Sequence, residues 1–196
     1  MKICFLGGTF DPPHMGHLKI ALECLKQCQK FIFIPSKQSP HKKNPPSFDC
    51  SHRLKMLDML ASSYKNIEID SFEIDSAKQI SYTIDTIRYL VEKYKGASIY
   101  MVVGSDLIND IKLWKESEEI RKKVKIICFK RAGYNKIDFE DKNILFIDSI
   151  NLNISSSSIK KEIPLNKSNR FSNLSNMIPK DIYDYIFKNK LDLELS

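Results

Sequence analysis

Two hydrophobic rhythms alternate along this chain. Short runs rich in apolar residues, many of them β-branched or aromatic, predict strands: KICFL (2–6), FIFIP (31–35), IEIDSFEI (67–74), IYMVV (99–103), VKIICF (124–129) and ILFI (144–147). Between them, apolar residues recur every three or four positions and predict helix faces. Leu18, Leu22 and Leu25 mark one face, and Leu54, Leu57 and Leu60 another. Ile80, Ile84, Ile87, Val91 and Tyr94 carry a third over four turns. A last helix, PKDIYDYIFKN (179–189), opens on a proline and places Ile182, Tyr185 and Ile186 together. This order predicts an α/β fold, a Rossmann-like open parallel sheet with helices on both faces. No repeat or linker divides the chain, so one domain is expected over 1–196, with a C-terminal helical part (about 155–190) packed on it. The polar stretch PLNKSNRFSNLSN (164–176) reads as a surface loop.

In open sheets of this kind, ligands bind beyond the carboxyl ends of the strands. The unusual residues of this chain gather there: GGTFDPPHMGH, SKQSPHKK, GSD, KRAG and NISSSSIKK each follow a predicted strand, so five segments are expected to converge on one crevice. In the first, Gly7 and Gly8 let the backbone turn tightly and approach a ligand. Pro12 and Pro13 lead into a helix start, and His14 and His17, three apart in its first turn, can aim both rings at one point. A helix N-terminus offers free amides and partial positive charge, which suits phosphate. A second helix start carries four consecutive serines, and a simple cap accounts for only one of them.

Composition narrows the class. The chain has 196 residues, 42% of them hydrophobic and 28% charged, as in a soluble globular protein. It has no apolar run long enough for a membrane span, and MKICFLGG is too short for a secretory core, so a cytoplasmic protein is expected. Five scattered cysteines without a CxxC pair suggest thiols rather than a disulfide framework or a zinc site. The net charge of +7 is spread along the chain, clustering only in HKKN and IRKKVK without interleaved aromatics. That pattern suits phosphorylated small molecules better than specific nucleic-acid binding.

The opening motif resembles the (H/T)xGH signature of the nucleotidylyltransferase superfamily, and GGTFDPPHMGHL is similar to the form found in bacterial-type nicotinate-mononucleotide adenylyltransferases. The likeness continues in family order through IPSKQSPHKK, ISYTIDTI, MVVGSDLINDIKLWKESEEI and NISSSSIKKEI to the tail MIPKDIYDYIFKNKL. It implies transfer of an adenylyl group from ATP to nicotinate mononucleotide in NAD biosynthesis. Mg2+ is held mainly by the ATP phosphates, with no direct protein ligand to the metal expected.

By the same resemblance, His17, His14 and Lys42 are the catalytic residues. Gly8, Thr9, Phe10, His14, His17, Gly104, Asp106, Arg131, Ser155, Ser156, Ser157 and Lys160 bind ATP. His41, Lys42, Thr83, Trp114 and Lys115 hold the mononucleotide, with Trp114 stacking on the pyridine and the Thr83 and Lys115 amides meeting its carboxylate. The nicotinate form is expected in preference to nicotinamide mononucleotide. Three residues depart from the family pattern: Lys160 stands for an arginine, Ser157 for a threonine and Ser39 for a proline. The rival readings are pantetheine-phosphate adenylyltransferase, then the cytidylyltransferases of the same superfamily and, from another class, a non-catalytic nucleotide- or nucleic-acid-binding protein. The intact histidine pair argues against the last.

Overall fold

Strands β1 (Lys2–Gly8), β2 (Lys30–Pro35), β3 (Ile67–Ile69), β4 (Ser98–Gly104), β5 (Lys125–Phe129) and β6 (Ile144–Ile147) form one sheet. Its order is β3-β2-β1-β4-β5-β6 and every pairing is parallel. A computed structural model supplies these coordinates and describes residues 1–39, 44–130, 143–148, 154–165 and 171–195. The helices are α1 (Met15–Cys24), α2 (Cys50–Ala61), α3 (Phe72–Asp75), α4 (Thr83–Lys93), α5 (Ser117–Lys123), α6 (Ser156–Leu165) and α7 (Lys180–Lys188). The Rossmann-like open sheet expected from the alternating rhythms is therefore present.

Because successive strand residues point to opposite faces, the unbroken apolar runs feed two cores at once. Cys4, Phe31, Phe33, Val102, Ile127 and Phe129 pack under α1, α2, α6 and α7. Ile3, Phe5, Ile32, Ile34, Met101 and Val103 pack under α4, α5 and the 3₁₀ turn Ile108–Leu113. The strand order reverses direction between β1 and β4, and at such a switch point the loops leaving neighbouring strands diverge and open a crevice.

Several expectations need correction. The strand predicted over 67–74 stops at Ile69: the Asp70 carboxylate accepts the Phe72 amide and turns the chain into α3. Ile80 is exposed and precedes α4, so the helical rhythm begins one member later, at Ile84. The polar stretch 164–176 is not all surface loop, since Pro164 lies inside α6 and Leu174 is fully buried. Cys4 and Cys28, expected as thiols, form a disulfide, because the turn after α1 returns the chain beside the start of β1. Cys24 is a buried thiol whose pKa burial pushes up to about 12. Among the described residues no helix is long and apolar enough to cross a membrane.

Candidate active site

β1 runs on through Gly7 and Gly8, so these glycines do not make the turn expected of them. The turn falls at Phe10, whose φ of 49° lies in the left-handed region, and a cis Asp11–Pro12 bond follows. That conformation costs a non-glycine residue about 1 kcal/mol or more and persists where packing over-determines it. Here the Phe10 ring is buried edge-on to Phe33 and His17, at centroid distances of 5.4 and 4.9 Å. Gly8 leaves room for that ring, since a Cβ there would sit 3.3 Å from it. Gly7 meets no such constraint.

His14 is the N-cap of α1 and His17 stands three residues into it. Their rings stack with centroids 3.7 Å apart, and the His14 backbone N–H donates to His17 Nδ1 at 3.1 Å. With Nδ1 accepting, the neutral imidazole carries its proton on Nε2, so His17 presents an N–H donor from a fixed ring. His14 is buried and His17 half-buried. The residue between them in the motif, Gly16, has a steric reason that the sequence reading passed over: a Cβ there would lie 2.9 Å from two atoms of the His14 ring. The first amide of α1 is not open to a ligand as expected, because Met15 N–H donates to Met177 O at 2.8 Å.

Asp11 and Arg53, both missed by the sequence reading, brace this loop together with Lys160. Asp11 is buried and accepts the Ser47 and Phe48 amides, both at 2.9 Å, and the Lys160 ammonium at 2.6 Å. Lys160 also donates to the Ser47 hydroxyl at 2.8 Å. The lysine expected at the ATP phosphates is thus engaged in an ion pair that ties α6 to the loop after β1. Arg53, 1% exposed, donates to the carbonyls of Thr9, Ser36 and Phe48. Its signal was available, since Arg53 falls in helical register with the buried Met56, Leu57 and Leu60.

The serine run divides its labour. Ser155 Oγ accepts the Ser158 amide, as a helix cap does, and the Ser156 hydroxyl donates to Pro12 O at 2.9 Å. Ser157 is exposed on the first turn of α6. Ile154, just before this turn, comes within 3.7 Å of a Cβ placed on Gly16, so the starts of α1 and α6 are neighbours.

Across the switch point, Gly104 ends β4 and Asp106 lies half-buried in the turn beyond it. The Asp106 carboxylate adds to the burial that lifts the Cys128 thiol to about 12. Thr83 is the first residue of α4, so its amide is one of those a helix cannot satisfy internally. Trp114 is half-buried at the end of the 3₁₀ turn, and the Lys115 ammonium lies 4.6 Å from the Tyr82 ring centroid, which brings the 82–83 and 114–115 segments together. Behind them the buried Glu73 carboxyl accepts the Thr86 hydroxyl. Burial raises the Glu73 pKa against that hydrogen bond. His41, Lys42 and Arg131 lie outside the described residues.

The chain is similar to known proteins over nearly its whole length. A family described as cytidylyltransferase-like matches residues 5–162. A "probable nicotinate-nucleotide adenylyltransferase" of Methylacidiphilum infernorum is 32% identical over 97% of this chain and 91% of its own. One of Clostridium perfringens is 32% identical over 97% of both chains. The solved Plasmodium falciparum nicotinic acid mononucleotide adenylyltransferase complexed with NaAD shares the fold at a TM-score of 0.78 and 24% identity, covering 97% of each chain. Kinship across both halves of the sheet and its C-terminal helices places this chain in the cytidylyltransferase-like family, among the nicotinate-nucleotide adenylyltransferases.

Proposed function

We infer that this chain transfers the adenylyl group of ATP to nicotinate mononucleotide, giving nicotinate adenine dinucleotide and pyrophosphate in NAD biosynthesis. The observation that carries the reading is the stacked histidine pair at the head of α1, in a chain related end to end to nicotinate-nucleotide adenylyltransferases. In the reaction a phosphate oxygen of the mononucleotide bonds to the α-phosphorus of ATP, while the bond to the bridging oxygen of the β-phosphate breaks. An anion must approach a polyanion, and unit charges 4 Å apart repel by about 4 kcal/mol at an effective dielectric near 20. Catalysis is therefore positioning and charge stabilisation, with no covalent step on the protein.

His17 Nε2–H is the donor we assign to the α-phosphate, with charge developing there in the transition state. The buried His14 ring, stacked on it, restricts its orientation. The Phe10 amide and the Ser157 hydroxyl are assigned to the ATP phosphates, and Asp106 accepts from ribose hydroxyls. Lys42 and His41 are assigned to the mononucleotide phosphate and Arg131 to the ATP side. Trp114 stacks on the pyridine, while the Thr83 and Lys115 amides meet its carboxylate. Among the described residues no three His, Cys, Asp or Glu side chains come together as a cage. The groups assigned to the phosphates are hydrogen-bond donors, a set that fits a metal-bound triphosphate whose Mg2+ takes phosphate oxygens and water as ligands. Mg2+ there would neutralise part of the triphosphate charge. We place the reaction in the cytoplasm, where both soluble nucleotides would be met.

One assay tests the reading: purified protein with ATP and, in parallel, nicotinate mononucleotide, nicotinamide mononucleotide or phosphopantetheine, followed by pyrophosphate release. The nicotinate acceptor is expected to give the highest kcat/KM. Preference for phosphopantetheine would overturn the assignment in favour of the coenzyme A branch, and no turnover with any acceptor would favour a nucleotide-binding protein without transferase activity.

A further inference from the structure

Arg53 is a charged side chain sealed in a core. It is 1% exposed, no carboxylate touches it among the described residues, and its Nε and Nη1 hydrogens go to backbone carbonyls. Nη1 donates to Thr9 O at 2.6 Å and to Ser36 O at 2.8 Å, Nε donates to Phe48 O at 3.0 Å, and Nη2 reaches Cys50 Sγ at 3.1 Å. Burying an unpaired cation is costly, and an apolar residue in this helical register would pack against Met56 and Leu57 without that cost. The position of the three carbonyls shows what the guanidinium achieves that an apolar residue could not.

Thr9 follows the last residue of β1 and Ser36 follows the last residue of β2, two neighbours whose ends are further joined by the Ser36 amide donating to Gly8 O at 2.8 Å. In a planar trans peptide the C=O and N–H point in opposite directions. Drawing the Thr9 and Ser36 carbonyls inward onto Arg53 therefore turns the N–H groups of the same peptides, those of Phe10 and Lys37, away from the core at the carboxyl end of the sheet. Neither amide meets an acceptor among the described residues. The third carbonyl, of Phe48, belongs to a residue whose amide is held by Asp11, so the same cation also anchors the brace of the loop after β1.

We propose that Arg53 is the positioning residue of the phosphate site: it orients the Thr9–Phe10 and Ser36–Lys37 peptides so that two amides at adjacent strand ends donate to anionic oxygen. The inference rests on the adenylyl-transfer reading for which phosphate is bound, but not on which acceptor is used. A point-charge ammonium cannot reproduce a planar fork that reaches three carbonyls.

Arg53→Lys and Arg53→Ala test it, with melting temperature, kcat, both KM values and the affinity for a non-hydrolysable ATP analogue measured for each. Arg53→Lys is expected to remain folded at the assay temperature, to bind the analogue about tenfold more weakly and to lose about tenfold to a hundredfold in kcat/KM. Millimolar guanidinium should restore much of the loss in Arg53→Ala, and sodium at equal ionic strength should not. If Arg53→Lys melts lower but its folded form binds the analogue and turns over as the wild type does, Arg53 is only a core residue and the proposal fails. Should Arg53→Ala not fold, the Arg53→Lys binding measurement decides alone. Inactivity of the wild type toward nicotinate mononucleotide would remove the functional reading instead, because analogue affinity is read without any acceptor.

Discussion

His14 and His17 lie ring over ring, 3.7 Å between centroids, and the backbone amide of the first donates to Nδ1 of the second. One residue thus sets both the tautomer and the plane of the other. His17→Ala should lower kcat by roughly 10²-fold or more, about 3 kcal/mol, with little change in either KM, because the lost donor is aimed at charge that appears in the transition state. Steady-state kinetics with each substrate varied would check this, and wild-type turnover would remove His17 from the chemistry.

Gly16→Ala should disturb the same pair without replacing either imidazole. A Cβ at position 16 would lie 2.9 Å from His14 Cε1 and Nδ1, so the ring must tilt and carry the stack with it. We expect kcat to fall at least about tenfold. The far-ultraviolet circular dichroism should be unchanged, since alanine is a better helix former than glycine. Unaltered kcat in a folded variant would show that the stack does not matter.

Lys160 joins α6 to Asp11 and Ser47 across the site, with Asp11 buried and the lysine side chain 26% exposed. Lys160→Met leaves a buried carboxylate without its cation. It should cost about 2 kcal/mol, less than for a fully buried pair because water screens the lysine side. Lys160→Arg keeps charge and donors and should retain activity. Thermal melts of both variants would decide, and a Lys160→Met protein as stable as the wild type would show that the strut is dispensable.

Glu73 is a buried carboxyl whose pKa burial raises above 4.5. A group raised in the folded state contributes stability that is complete below its unfolded pKa and is lost as pH climbs through its folded one. Wild-type stability should therefore decline relative to Glu73→Gln as pH rises above about 4.5. The glutamine carbonyl can still accept from Thr86. Denaturant titrations of both proteins at pH 5 and pH 8 would reveal the difference, and parallel curves would rule out a titrating Glu73.

Nicotinate mononucleotide should be preferred over its amide analogue by orders of magnitude if amide donors meet the pyridine substituent, because an NH₂ there would face donor with donor. Trp114→Ala should raise KM for both mononucleotides and leave their ratio nearly unchanged, since the two rings offer similar faces. Equal kcat/KM values for the two acceptors in the wild type would show that the Thr83 and Lys115 amides do not read the substituent.

The sequence alone determined what short-range physics writes into it. Strand and helix periods set the α/β class, and the crossover order placed the glycine, histidine and serine motifs at strand ends, because a period of two or of three to four residues is a local property. The family likeness was legible for the same reason, since its motifs are short and contiguous. Tertiary structure alone decided how those motifs are held. Lys160 meets Asp11 across 149 residues of chain, Arg53 draws together carbonyls from three segments, and Cys28 returns to Cys4. The left-handed turn at Phe10 depended on the same level, whereas β3 stops after Ile69 at a local turn, Asp70 accepting the amide two residues on. A buried carboxylate or guanidinium is tolerable only where distant segments bring it partners, and that convergence has no signature in any window of neighbouring residues.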